Sequence, residues 1–399
     1  MPHRPRPWFA ALIALLVTGL LAVPAPAAAA PDDEPAPAPS TSAEPKKAEG
    51  AARRPLLWMV EGSPRVFLYG TIHVPDPRVL QHLPVVQQAL DQSTALYTEL
   101  RMDMQGQMEM QQVAMTRGML PMDKSLTALL GAETHAKVLP HLPSQLPPMI
   151  VDRLKPWIVN SMLLQKLLAK HTAKTRARLA AEAGESTGAA AGEAPAPSEE
   201  PSNDPLDKVL FTTAQAAGKE VGAMETVAVQ FDAFDVLSLE SQVKMIHETL
   251  KELEKLEAGD KDDDGDEADD DDEGDDDDGQ DSLSRLLDLW LAGDTQGFVK
   301  FFEQDLRKLG DNQDAFVDAL LDKRNVGMAA KVVELMKSGP KKTYFIAVGA
   351  AHMPGEKGIV KLLTDKGLKV RRIELGEKLS PVPAPAEPKP EPAGAGAGK

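Results

Sequence analysis

The sequence predicts an α/β fold, a mixed and partly parallel sheet flanked by helices. Three observations support this. Short apolar runs alternate with longer stretches of helical period along most of the chain. Two of those runs, far apart in sequence, end in the same G-x-x-H-x-P pattern. The segments that interrupt the alternation are low in complexity and have almost nothing to bury.

The elements follow in order. Leu56–Glu61 and Arg65–Ile72 flank Gly62-Ser63-Pro64 and read as a hairpin. Thr94–Leu100 is a strand, followed by helical patterns over Met102–Thr116 and Met149–Lys170. Lys155-Pro156 breaks or kinks the second of these, because proline has no N–H to continue the ladder. Leu206–Ala217 is helical, and Gly218-Lys219 ends it before a short strand, Glu220–Glu225. Helices are expected at about 236–257, 283–292, 295–309, 314–324 and 326–338, with Asp294 as N-cap of the third. Thr343–Val348 is an uninterrupted apolar run, as a strand covered on both faces requires. A short helix at Gly358–Lys366 and a last strand at Leu368–Leu375 complete the pattern.

Around this core the 399-residue chain carries segments of another kind. Residues 1–30 read as a signal peptide: Arg4 and Arg6, an apolar stretch Trp8–Val23, then small residues at Ala27–Ala30. The product would be exported, periplasmic or secreted. The alternative is an uncleaved membrane anchor, for which the stretch is shorter than the roughly 20 residues of a span. Residues 31–52 form a linker and 379–399 a Pro/Ala/Gly tail. The body, 53–378, reads as a single domain interrupted by a low-complexity insert at 180–205 and an acidic insert at 258–280.

Charge and cysteine content exclude several functions. The net charge is −17, but from Asp260 to Asp278 every residue except Lys261, Gly265, Ala268 and Gly274 is acidic, so the acidity is local. No basic footprint for nucleic acid exists. With no cysteine, the chain has no disulfide, thiolate metal site or cysteine nucleophile. Gly184-Glu185-Ser186-Thr187-Gly188 spells a nucleophile elbow but has no strand before it. Asp260, Asp262, Asp264 and Gly265 start a calcium-loop pattern whose twelfth position is Asp271 instead of glutamate. His247-Glu248 continues to Lys251 and misses the zincin spacing.

The repeated pattern is Gly70-Thr71-Ile72-His73-Val74-Pro75 and Gly349-Ala350-Ala351-His352-Met353-Pro354. In each, an apolar strand delivers the chain to a sheet edge, glycine permits a sharp turn or close approach, and histidine projects at the carboxyl end. Ligands of open α/β sheets sit outside those ends. His73 and His352 are therefore candidate metal ligands, and core histidines satisfied by backbone are the alternative. Glu99 and Glu225 close two further apolar strands, which makes them candidates for the same site or surface acids that begin the next helix. Imidazoles with carboxylates suit Mn, Co, Zn or another first-row divalent ion. Arg324-Asn325 sits at a helix junction, where the arginine could hold a carboxylate or oxyanion, or be a surface residue beside an Asn that caps the next helix. His82, His135 and His171 lack this context and are expected at the surface.

These residues resemble the TraB/PrgY/GumN family, which includes the Tiki metalloproteases. The resemblance rests on Leu68–Pro75, Glu99, Leu126 after Met122-Asp123-Lys124-Ser125, and Gly218–Thr226 with Gln230. It continues through Arg324–Ala329 and closes with Val348–Gly358. Met224 stands where the family usually has leucine, and Val227-Ala228-Val229 replaces an acidic pair common in the group. The resemblance implies a fold similar to erythromycin esterase and ChaN-like haem-binding proteins, and a metal-dependent protease that uses both G-x-x-H histidines and a glutamate. In that reading His73, His352 and Glu225 bind a divalent ion, Glu99 is ligand or general base, and Arg324 and Asn325 steady the substrate. The substrate is a peptide or protein. The alternative is a binding protein that sequesters a peptide or haem-like ligand at the same face.

Overall fold

The computed structural model describes residues 54–74, 76–80, 84–186, 204–258, 282–306, 313–337 and 342–381. The signal segment, the linker, the acidic run and nearly all of the tail lie outside these residues, as do His82 and Pro75. So do residues 187–203 of the first insert.

Six strands form one sheet: β1 (Leu57–Val60), β2 (Arg65–Thr71), β3 (Ala95–Thr98), β4 (Glu220–Ala223), β5 (Thr343–Gly349) and β6 (Val370–Arg372). Their order is β4-β3-β5-β2-β1-β6. The four strands from β4 to β2 are parallel, whereas β1 pairs antiparallel with both β2 and β6. The fold class is the one the alternation of elements predicts. β5 enters the sheet last in sequence among the parallel strands yet lies between β3 and β2, and all seven of its residues are buried. Its unbroken apolar run is what a strand with neighbours on both edges and layers on both faces needs.

Register aligns the carboxyl ends. Thr71 of β2 lies opposite Gly349 of β5, and Thr98 of β3 lies opposite both Ala347 of β5 and Ala223 of β4. The residues just past these ends therefore emerge side by side, one strand spacing of about 4.8 Å apart.

The helices that flank this edge are α1 (Met104–Arg117), α2 (Pro156–Ser186), α3 (Leu206–Ala216), α4 (Val227–Phe234), α5 (Leu239–Ala258) and α6 (Lys323–Met336). α2 starts at Pro156, the position where a missing N–H costs nothing, and a separate short helix ends at Val151. α2 continues to Ser186, so the first seven residues of the insert expected from composition are helical. The Trp157 ring of α2 is edge-on to Phe231, 4.7 Å between centroids, and stacked on Phe234 at 4.8 Å. Phe234 in turn meets Phe316, 5.9 Å away, so this aromatic cluster fixes α4 against both α2 and the segment leading to α6.

Four local readings are corrected. The helix α4 was absent from the pattern, and β6 is only three residues long where eight were expected. Arg324-Asn325 does not separate two helices: residues 318–322 form a π-helical turn, and α6 runs through both residues without a break. His135 and His171 are half-buried rather than fully at the surface. Asp294 caps its helix as expected, accepting from the amides of Gln296 and Gly297. Among the described residues, no helix is long and apolar enough to cross a membrane.

Candidate active site

Because the sheet order is β4-β3-β5-β2, the four strand-end residues line up as Glu225, Glu99, His352, His73. The structure brings all four together with Arg324 and Asn325, and all but Glu225 are at most 5% exposed. The Glu225 side chain is itself only 6% exposed.

The acidic half is built around one guanidinium. Arg324 leans from the first turn of α6, and its Nη2 donates to Glu99 Oε2 at 2.6 Å and to Glu225 Oε1 at 2.5 Å. Nε donates to both Glu225 oxygens at 3.0 Å. Nη1 donates to the Leu320 carbonyl, 2.9 Å away inside the π turn. A π turn redirects carbonyls that an α-helix would use internally, and here one of them anchors the arginine. Gln230 of α4 bridges the acids from the other side, its Nε2 donating to Glu99 Oε2 at 3.0 Å and Glu225 Oε1 at 2.9 Å. The Gly349 amide donates to Glu99 Oε1 at 2.7 Å.

Electrostatics follow from this sharing. Burial pushes Glu99 up, but Arg324, His352 and His73 together with the Gly349 amide outweigh it and hold the carboxyl at about 2. Glu225 is pushed up by burial, with Arg324 opposing and the Glu99 charge adding to the rise. One guanidinium compensates two buried acids unequally, and the pair titrates as a unit.

The histidine half is built on Nδ1 contacts. His352 Nδ1 lies 2.6 Å from Asn325 Oδ1, while Asn325 Nδ2 donates to the Lys357 carbonyl at 3.0 Å. That second bond fixes which amide atom faces the ring, so Nδ1 carries the proton and Nε2 keeps its lone pair. Nε2 is buried with no hydrogen-bond partner and lies 3.6 Å from Glu99 Oε1. Burial first, then the Arg324 charge, lowers His352 to about 3, so the ring is neutral at ordinary pH. His73 Nδ1 lies 2.7 Å from Oδ2 of Asp207 in α3. Burial lowers this histidine, but the Asp207 carboxylate more than reverses it and the net shift is upward.

The two glycines of the repeated pattern are needed for close approach. A Cβ on Gly349 would sit 3.0 Å from Glu99 Oε1, and one on Gly70 would sit 3.1 Å from the Ala350 backbone. Sequence reasoning missed Asp207, and it quoted Gln230 only as part of a resemblance. The motif glutamine could be read from its neighbours. Asp207 offered no signal beyond being an acid in the first turn of a helix, which is common everywhere.

Two imidazoles and two carboxylates at one sheet edge are donor types that suit a first-row divalent ion. The orphaned Nε2 of His352 is the observation that supports the fit. Even so, among the described residues no group of three or more His, Asp or Glu stands assembled to hold an ion, because the acids are turned onto Arg324 and Gln230.

Four parallel strand ends that converge two acids, two histidines and a buried arginine define an α/β protein with a polar site at the carboxyl edge of its sheet. The chain belongs to the TraB/PrgY/gumN family, whose model matches residues 56–372. It is similar to Metalloprotease TIKI1 of Danio rerio, 25% identical over 81% of this chain and 64% of that protein. A Metalloprotease TIKI homolog of Nematostella vectensis is 26% identical over 81% of this chain and 68% of its own length. Metalloprotease TIKI2 of Xenopus tropicalis is 26% identical over 80% of this chain and 60% of its own. The chain thus spans about two thirds of the length of these relatives. No solved structure matches it.

Proposed function

We propose that this chain is an exported hydrolase that depends on a divalent metal ion and cleaves peptide bonds. The observation that carries the proposal is His352 Nε2, buried and unpartnered 3.6 Å from Glu99 Oε1, with its ring fixed from behind by Asn325. A purely structural histidine would use both nitrogens, since an orphaned buried polar atom costs about 1–3 kcal/mol. The names of the relatives agree with a metalloprotease-like activity.

His73 and His352 would hold the ion through Nε2, with Glu99 or Glu225 as a third ligand once released from Arg324. When bound, Mn, Co or Zn supplies Lewis-acid polarisation of a peptide carbonyl and acidifies water. The protein supplies the rest. Glu99, ionised and aimed at the histidines, accepts a proton from attacking water if Glu225 is the ligand. Arg324 then changes partner, from an acid that has moved to the oxyanion that develops on the substrate. Asn325 keeps His352 in the Nδ1–H tautomer. The sheet edge and the aromatic cluster under α4 hold these groups in place, so positioning is prepaid in folding. Export rests on the N-terminal Arg4, Arg6 and Trp8–Val23 pattern.

One observation favours a second reading. Both acids are saturated by Arg324 and Gln230, as they would be in a pocket that binds a peptide or haem-like ligand without turnover. Cleavage of a peptide library by the purified chain, with Mn, Co or Zn and then with chelator, separates the two. Chelator-sensitive cleavage supports the hydrolase. Binding without cleavage under all three metals leaves the sequestering protein.

A further inference from the structure

We infer that Asp207, with Thr71 behind it, is the positioning residue for His73, so that both site histidines present Nε2 to the same space. This rests on the metal site proposed above. Asp207 is the second residue of α3 and is 1% exposed. A carboxylate so buried is costly unless something uses its charge. Its Oδ1 accepts from Thr71 Oγ1 at 2.7 Å, and that threonine is the last residue of β2, two before His73. This leaves Oδ2, which lies 2.7 Å from His73 Nδ1.

Both Oδ2 and Nδ1 are buried without a hydrogen-bond partner, and each faces the other as the nearest oppositely charged group. The separation is that of a charge-assisted hydrogen bond. The ring N–H is turned away from the oxygen in this structure, so the contact is a close ion pair whose hydrogen bond forms only when the ring turns about its terminal torsion. A helix that needed only an acid in its first turn would leave that acid in solvent; this one points inward at a ring. The arrangement mirrors Asn325 behind His352, with an anion in place of an amide. A carboxylate behind a ligating imidazole fixes its orientation and raises its basicity, and loss of such a partner typically lowers metal affinity about 10–100-fold.

The test uses the full-length chain, free of metal and then titrated with Mn, Co and Zn. In 15N-histidine-labelled protein, long-range proton–nitrogen spectra read which nitrogen of His73 carries the proton, with His73→Gln identifying the signal. Wild type should show a proton on Nδ1. Asp207→Asn should move it toward Nε2 and weaken metal binding about 10–100-fold. Thr71→Val should weaken binding by a smaller factor, and Thr71→Ser should restore it, which also covers the case in which Asp207→Asn fails to fold. If Asp207→Asn and Thr71→Val lower only the melting temperature, with tautomer and affinity unchanged, Asp207 is structural and the inference is overturned. If wild type binds none of the three metals, the metal site fails, yet the metal-free spectra still decide whether Asp207 sets the tautomer.

Discussion

The two G-x-x-H strand ends share glycine, histidine and proline at the same spacing and differ in what stands behind the histidine. His352 is backed by the neutral Asn325 amide from α6, held rigidly by its own bond to the Lys357 carbonyl. His73 is backed by the Asp207 carboxylate from α3. Burial and the Arg324 charge keep the first ring neutral, whereas the Asp207 carboxylate overcomes burial and draws the second toward its protonated form. A shared motif delivers two rings to one edge, but burial and the distant charges of Arg324 and Asp207 decide what each ring is.

The largest expected effect comes from removing the charge that both halves share. Arg324→Met would leave Glu99 and Glu225 buried without a counter-charge, and should cost about 3–5 kcal/mol in urea unfolding. Adding Glu225→Gln should recover part of that loss. A single variant as stable as wild type would show that the clamp is not what holds the acidic half.

Titration sharpens the contrast between the rings. His352 is at about 3 when folded against an ordinary 6.5, so between these values the unfolded chain binds the proton and the folded chain does not. Stability should fall as pH drops below 6.5. Glu99, at about 2 against an ordinary 4.5, deepens the fall below 4.5. His73 is shifted the other way, so its contribution is complete below 6.5 and disappears as pH rises through its folded value. In melting curves, His352→Gln should delay acid destabilisation until the Glu99 window, and His73→Gln should flatten the alkaline side. Identical profiles for the two variants would erase the distinction.

Asn325→Leu should cost about 1–3 kcal/mol, because it leaves the Lys357 carbonyl and His352 Nδ1 without partners. The smallest effects are at the glycines. Gly70→Ala and Gly349→Ala should each lose about 1 kcal/mol, the low end for overpacking, because the nearest atoms must give by only a few tenths of an ångström. Only Gly349→Ala presses on Glu99, so only it should also alter metal binding, measured by equilibrium dialysis.

How much of this was legible in the sequence depends on whether a residue's role is local. Glu99, Glu225, His73 and His352 could be read because each closes an apolar run, and strand ends of a parallel sheet share an edge. Arg324 and Asn325 were visible as a polar pair at an expected helix junction, although the π turn before them was not. Hydrophobic periodicity does not distinguish an i→i+5 turn from an i→i+4 one. Asp207 was hidden because its role is defined by residues 136 and 134 positions earlier, Thr71 and His73, across a crossover and an insert. The helix α4 was missed because Val227-Ala228-Val229 has the residue types of a strand, and its contacts with Trp157 override that preference.

The central claim is that the paired strand ends form one metal site. The most direct measurement is equilibrium dialysis of Mn, Co and Zn against the full chain and against His73→Ala/His352→Ala, with elemental analysis of the retained ion. The account predicts stoichiometric retention by wild type and none by the double variant, whose circular dichroism and melting transition remain close to wild type. Retention of the same ion by a folded double variant, or no retention by wild type with any of the three metals, would contradict it.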